Sequence, residues 1–305
     1  MIISLLYFGI NKKHVEPSTM HTPQSPFTDA TKISAGHRIL HLYIALLFFG
    51  LNQIIPSHTA LFAQEVSSEA PMSDQIQARI QRVAGDFEKK GYDLAPLLAD
   101  SRFVYIEGIT QKFTRSAERR IESFEDYKEV LAYEIKKNKL AEFYSTYSAE
   151  LQAAEEEFDI PKEIIMGILG VESEFGTYKG NYNPFNAYIS MMAEDYRYSF
   201  AEAQLEELLK FCKRTGLDIM SLQSSYAGAM SYAQFIPYSL NRWWKNSEGQ
   251  GLYHMPDNIR SVANYLAHFT KIEGNVEGAI LRYNTSSLYQ QAVLSLAEDA
   301  KQVIP

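Results

Sequence analysis

Apolar positions recur at helical spacing along almost the whole chain from Asp74 onward. Ile76, Ile80, Val83 and Phe87 mark one face of a helix over Ile76–Phe87, and Tyr127–Ile135 reads likewise. Leu140, Phe143, Tyr144, Tyr147, Leu151, Ala154 and Phe158 predict a longer helix over Leu140–Phe158. Asp159-Ile160-Pro161 ends it and opens another, because proline suits a first helical turn and not an interior. Lys162–Val171 runs apolar (IIMGILGV), as a central buried helix does. Ser199–Lys213 is amphipathic and stops at Gly216. Asp257 is a candidate cap for a helix to about His268, and Ser286 or Ser287 for a last one to about Ala297. Repeats of 20–50 residues and βαβ alternation are both missing. The class is therefore all-α, or α+β at most, with room only for short strands near 102–112 (RFVYIEGITQK).

Residues 1–75 follow another pattern. Ile39–Leu51 (ILHLYIALLFFGL) is an apolar run preceded by Lys32, His37 and Arg38 and followed by Pro56 and the small-residue stretch to Ala63. A basic flank, a short apolar core and a small residue at the end describe a secretory signal peptide over 38–63. The run is short for a membrane span; the alternative is a buried core helix. Its distance from Met1 makes residues 1–37 an extension, disordered or upstream of a later start such as Met20. Residues 64–75 read as a Ser/Glu/Pro linker. The expected compartment is a bacterial periplasm, with the chain free there or retained by an uncleaved signal anchor.

Composition narrows the function. The chain has 305 residues, with 29 basic against 37 acidic side chains and a net charge of −8. That balance argues against broad phosphate neutralisation and hence against nucleic acid as a partner. Without residues 1–63, which hold four basic and two acidic residues, the net charge becomes −10. Cys212 is the one cysteine, so an intrachain disulfide framework and a cysteine zinc site are excluded. The 20 tyrosines suit a sugar-lined groove, since each joins an apolar face to a hydroxyl; half-buried packing is the alternative use.

The residue with the clearest chemical meaning is Glu172, in Gly170-Val171-Glu172-Ser173-Glu174-Phe175-Gly176. It ends the apolar helix, where hydrophobic neighbours and the negative end of the helix dipole both disfavour the charged carboxylate. A carboxyl still protonated near neutral pH is what general-acid cleavage of a glycosidic bond requires. Glu174 stands roughly 200° around the helix, so the two carboxyls should not share a pocket. A surface glutamate at a helix end is the alternative. A second element, Ser224–Pro237 (SSYAGAMSYAQFIP), combines small residues that permit close packing with the polar tips of Ser225, Tyr226, Tyr232 and Gln234. A third, Arg282-Tyr283-Asn284 with Tyr289, reads as a loop opening onto a helix, able to hold a sugar or to cap the helix.

In this order the three elements resemble those of lytic murein transglycosylases of the membrane-bound transglycosylase B type, a lysozyme-like family acting on peptidoglycan. GVESEFG stands where that family has G-V-E-[ST]-x-[FW]-G, and SYAGAMSYAQFIPYS where it has S-[FY]-A-G-A-M-G-x-x-Q-F-x-P-S. SVANYLAHF (261–269) and RYNTSSLY (282–289) match S-V-A-N-Y and R-Y-N followed by Tyr. The resemblance covers roughly 76–300 and implies a helical subdomain over about 76–158 before a lysozyme-like core over about 159–300. It makes Glu172 the catalytic acid/base, with Ser225, Tyr232 and Gln234 lining the glycan subsites and Tyr283, Asn284 and Tyr289 beside Glu172. Tyr127 and Arg197 match a family tyrosine and a subsite arginine.

The implied reaction cleaves the β-1,4 bond between N-acetylmuramic acid and N-acetylglucosamine. Glu172 is its one carboxyl and 1,6-anhydro ends are its product, as in substrate-assisted exceptions to two-carboxylate hydrolysis. Alternatives on the same scaffold are a muramidase using water and a non-catalytic peptidoglycan-binding protein. Expected partners are peptidoglycan glycan strands and other cell-wall enzymes, with no cofactor and no metal. The family's calcium loop is replaced by Lys245–Leu252 (KNSEGQGL), short and with one acid, which does not suit calcium. An insertion between S-V-A-N-Y and R-Y-N is reduced to residues 270–281, which implies a more open groove. Ser231 replaces a family glycine, and Tyr238-Ser239 the motif's serine pair.

Overall fold

The computed structural model describes residues 72–114, 121–247 and 250–305. The extension, the signal segment and most of the linker lie outside them, as do residues 248–249 of the shortened loop. Twelve α-helices are described, with no β-strand among the described residues beyond two isolated bridges.

Helix α1 (Asp74–Lys89) begins two residues inside the stretch read as linker, with Ser73 Oγ accepting from Ile76 N. It buries Ile80, Val83 and Phe87, the face its spacing predicted. Two short helices follow, α2 (Ala95–Leu98) and α3 (Ile109–Thr114). The strands expected near 102–112 are not there. Their backbone donors are taken by side chains instead: Ile106 N by Ser190 Oγ, and Ile109 N and Thr110 N by the Glu194 carboxylate. A carboxylate at the first turn of α3 favours helix over ladder.

The helix predicted over Tyr127–Ile135 is broken. Helix α4 (Phe124–Leu131) ends at Ala132, which adopts φ 52°, and α5 (Tyr133–Phe158) starts directly afterwards. Helix α5 bends at Tyr147 (φ −123°, ψ 23°) and stops at left-handed Asp159. Helix α6 (Lys162–Ser173) is buried at every position from Ile164 to Ser173. It packs against α5, α10 and most extensively α12.

Helix α7 (Pro184–Ala193) has no counterpart in the sequence reading. All ten of its residues are buried, so no polar stripe reveals a helical period. Helix α8 (Tyr198–Thr215) ends on Gly216 as expected. A 3-10 turn (Ile219–Ser221) leads to the Ser224–Ile236 loop, and α9 (Pro237–Trp243) follows. Helix α10 (Met255–Glu273) starts ahead of Asp257, which does not cap it. The Asp257 carboxylate turns instead to Ser247 N and Oγ. Helix α11 (Val276–Tyr283) also went unread, and α12 (Ser287–Lys301) is capped by Ser286 as expected.

Two glycines of α6 decide how near α12 can come. A Cβ on Gly167 would lie 2.6 Å from the Val293 carbonyl oxygen, and one on Gly170 would lie 2.5 Å from Leu296 Cδ2. Gly167→Ala gains helix propensity of about 1 kcal/mol but drives a methyl into backbone. Overpacking of this kind costs about 1–3 kcal/mol, so the variant should unfold at lower urea concentration. Gly85→Ala, in the open middle of α1 with nothing within 4 Å, should instead gain up to about 1 kcal/mol in the same titration.

Candidate active site

The close approach of α12 to α6 brings one hydroxyl onto one carboxyl. Glu172 lies in the last turn of α6, 3% exposed, and Tyr289 in the first turn of α12, 1% exposed. Tyr289 Oη donates to Glu172 Oε1 at 2.8 Å. The local chain fixes that tyrosine: Asn284 Oδ1 accepts from Ser286 N, and Ser286 Oγ from Tyr289 N. Burial, reinforced by the Glu172 charge and the neighbouring Tyr283 and Tyr127 hydroxyls, pushes the Tyr289 phenol well above its ordinary range. It therefore stays a hydrogen-bond donor. Burial of Glu172 favours its neutral acid, and the Tyr289 bond favours its anion. Those are the two states a proton-transfer group alternates between.

Tyr283 supports the pair from behind. Its Oη donates to the Ala233 carbonyl at 2.5 Å, and its ring packs against those of Phe235 and Tyr265. Burial and the Glu172 charge raise its hydroxyl too. Tyr127 is 2% exposed, and its phenol is among the neighbours that raise the Tyr289 hydroxyl. Four residues singled out from sequence thus gather in one buried cluster: Glu172, Tyr289, Tyr283 and Tyr127. All three tyrosines are buried instead of offering a face to solvent, and Tyr289 bonds the carboxyl directly.

The Ser224–Ile236 segment is a pair of tight turns, so its small residues serve close backbone approach and not the packing of a helix. Gly228 (φ 80°) leaves room for the Tyr188 ring, whose Oη donates to the Gly228 carbonyl at 3.0 Å. Ser225 is wholly buried, and its Oγ accepts from Ala229 N. Ser231 occupies the family's glycine position at φ 65°, and its Oγ accepts from Ala233 N. Gln234 (φ 50°) donates Nε2 to the Ser231 carbonyl, while its buried Oε1 finds no hydrogen-bond partner among the described residues. Arg197 stands apart from this group. It stacks on Phe200 at 4.2 Å, and its charge reaches Tyr188 behind the loop.

Glu174 is engaged elsewhere, although the left-handed turn after α6 and not its angle around the helix directs it there. It takes the left-handed position after α6 (φ 50°) and pairs with Lys139 at 2.6 Å and Lys136 at 3.5 Å, both on α5. Burial pushes the Glu174 carboxyl up, but the two ammonium groups outweigh it and hold it below its ordinary 4.5. Burial pulls the Lys136 ammonium down, and its pairing with Glu174 only partly offsets this. The i,i+3 spacing of Lys136 and Lys139 places both ammonium groups on one face of α5, and that is the signal in the sequence for this clamp.

A cleft of about 370 Å³ opens three residues beyond Glu172. It is lined by Tyr147, Phe175, Tyr232 and Tyr253 together with Gly176 and His254–Pro256. Of these residues only Tyr232 was expected from sequence. Tyr253 and His254 directly follow the shortened loop. Tyr232 and Tyr253 meet edge to face at 5.4 Å. Half-buried tyrosines in this arrangement offer both ring faces and hydroxyls to a sugar. Among the described residues, no group of three or more His, Cys, Asp or Glu side chains could hold a metal ion.

The profile of the transglycosylase SLT domain matches residues 58–275. Over 141 residues the chain is 33% identical to membrane-bound lytic murein transglycosylase B of Escherichia coli, a match covering 45% of this chain and 38% of that relative. The chain thus aligns with well under half the length of this curated relative. The fold resembles the soluble lytic transglycosylase SltB1 of Pseudomonas aeruginosa, with a TM-score of 0.64 and 22% identity over 74% of this chain and 98% of that one. It also resembles SltB3 of Pseudomonas aeruginosa, solved with NAG-NAM-pentapeptide, with a TM-score of 0.63 and 19% identity over 75% and 80%. The fold is thus that of lysozyme-like lytic transglycosylases.

The Glu174 clamp sets an acid limit. A carboxyl held below its ordinary value contributes stability above about 4.5 that is lost as pH falls through the lower folded value. Chemical denaturation at falling pH should show that loss in the parent chain and less of it in Glu174→Gln. At neutral pH the same substitution leaves Lys136 buried against a neutral partner, at a cost of about 3–5 kcal/mol.

Proposed function

This chain belongs to the transglycosylase SLT domain family, and on that premise we propose that it is a peptidoglycan lytic transglycosylase with Glu172 as its acid and base. One observation carries the reading: a buried carboxyl at the end of an apolar helix, bonded by a neutral tyrosine, with the neighbouring Glu174 committed to two lysines.

The chemistry follows from having one carboxyl. Glu172 protonates the oxygen bridging N-acetylmuramic acid and N-acetylglucosamine, and the bond from that oxygen to the anomeric carbon breaks. The muramyl N-acetyl oxygen bonds to the anomeric carbon and carries the charge that a second carboxylate would otherwise meet. Glu172, now an anion held by the Tyr289 hydroxyl, removes the proton of the muramyl 6-hydroxyl. That oxygen attacks the anomeric carbon, displaces the acetamido oxygen and closes the 1,6-anhydro ring. Glu172 ends protonated and ready for another turn.

Substrate contacts divide between two kinds of residue. Tyr232 offers its half-buried ring in the aromatic cleft, and Gln234 Oε1 is an acceptor awaiting a donor. Ser225 and Asn284 hold the turns that aim these groups, Tyr283 ties the Tyr–Asn element to the motif loop, and Tyr127 backs Tyr289. Arg197 acts at the far side of the loop through Tyr188. The catalytic region runs over 76–300, with the helical subdomain before residue 159, and the chain works as an exported protein on periplasmic glycan strands beside other cell-wall enzymes.

Digestion of purified sacculi tests the reading. The parent chain should release anhydromuropeptides, and Glu172→Gln none; products about one water heavier by mass spectrometry would mark a muramidase instead. Tyr289→Phe should lower kcat by roughly 10- to 100-fold with little change in KM, the size expected when a reacting group loses its alignment.

A further inference from the structure

One buried amide of α10 has no part in the reaction above. Asn258 lies near the start of that helix and is wholly buried. Its Oδ1 accepts from Ala233 N at 3.0 Å. Its Nδ2 donates to the Leu252 carbonyl at 3.0 Å and to the His254 carbonyl at 2.8 Å. The partners fix which way round the amide sits, since the N–H must face its oxygen and the carbonyls its nitrogen. An aspartate of the same shape would turn an acceptor onto two acceptors. An apolar residue would strip three backbone groups of this partner.

Those backbone groups belong to the two segments that carry facing tyrosines. Ala233 follows Tyr232 in the motif loop, and Leu252 and His254 flank Tyr253. The two rings meet edge to face with centroids 5.4 Å apart, and both line the aromatic cleft. Each segment has a further tie of its own. The Ser231 hydroxyl shares Ala233 N, and the Ala233 carbonyl takes the Tyr283 hydroxyl. Tyr253 Oη donates to the Gln223 carbonyl at 2.7 Å. Asn258 bonds both segments at once, so it sets the spacing of the backbones from which the two rings project.

We propose that Asn258 is a positioning residue for substrate binding. Through the Leu252 and His254 carbonyls it holds Tyr253 against Tyr232, and it thereby sets the affinity of the cleft for glycan. Its loss leaves Tyr289 on Glu172 and Tyr283 on the Ala233 carbonyl, so proton transfer is spared. The inference rests on the transglycosylase reading of the same site.

Steady-state kinetics of the full chain on soluble, peptide-free glycan strands test it, with anhydro ends counted by mass spectrometry. Asn258→Ala keeps a good helix former in α10 and should raise KM roughly five-fold, the size of one misplaced aromatic contact. Its kcat should stay within about two-fold of the parent. Asn258→Asp, which keeps the acceptor for Ala233 N and loses both donors, should raise KM at least as much. Asn241→Ala cuts a side-chain tie from α9 to the Glu207 carbonyl of α8, at a residue that does not line the cleft. It should lower the urea midpoint and leave KM unchanged. Tyr253→Leu should raise KM by itself, and adding Asn258→Ala to it should have no further effect, because the residue to be positioned is gone. An unchanged KM in Asn258→Ala overturns the inference and leaves the transglycosylase reading standing. So does a loss confined to kcat, an equal rise of KM in Asn241→Ala, or additive effects in the double variant. A parent chain that releases no anhydro ends overturns the reading and the inference together.

Discussion

The contact between α6 and α12 is the constraint on which the site depends. Helices ordinarily pack with their axes 8–10 Å apart, set by the side chains between them. Here Gly167 and Gly170 remove those side chains from α6, and Val293 and Leu296 of α12 fill the space. The approach lets a phenol from the first turn of one helix reach a carboxyl in the last turn of the other at 2.8 Å. Remote packing and local chemistry are therefore one arrangement: whatever separates the helices also releases the carboxyl.

Around that contact the molecule distributes its buried charge economically. Glu172 accepts from the Tyr289 phenol, which burial keeps protonated. Two residues away, Glu174 meets two lysines and is held as an anion. The helix end separates these fates by turning Glu174 into a left-handed conformation toward α5. A dyad of shared carboxyls is thereby avoided.

The motif loop owes its shape to strain and close approach. Ser231 and Gln234 both hold positive φ, a conformation that costs an ordinary side chain about 1–3 kcal/mol unless its surroundings compensate. Compensation is present: the Ser231 hydroxyl accepts from Ala233 N, and the Gln234 amide donates to the Ser231 carbonyl. Tyr283 then fastens the loop through the Ala233 carbonyl. The cleft beyond it is built from α5, the α6–α7 stretch and the residues before α10, segments far apart in the chain.

Periodicity carried the sequence reading wherever a helix has one wet face. Helices α1, α8 and α12 were legible, α8 with its stop at Gly216 and α12 with its cap at Ser286, because each alternates core and solvent at helical spacing. Glu172 was legible as well, as a lone carboxyl closing an apolar run, and resemblance in three motifs supplied the family. Helix α7 was not, since a wholly buried helix has no polar stripe, and the 102–112 stretch misled, since side chains from α7 and Glu194 take the backbone donors a strand would share. The roles of the tyrosines were the least legible. Residue type gives a ring and a hydroxyl, and only packing decides which faces what. Tyr289 and Tyr283 were read as sugar contacts, yet burial turns one hydroxyl to Glu172 and the other to a backbone carbonyl. Tyr147, Tyr253 and His254 drew no such notice, yet they line the cleft. Sequence thus determined which groups are available, and tertiary structure decided their partners, because a hydrogen bond depends on distances set by residues a hundred positions away.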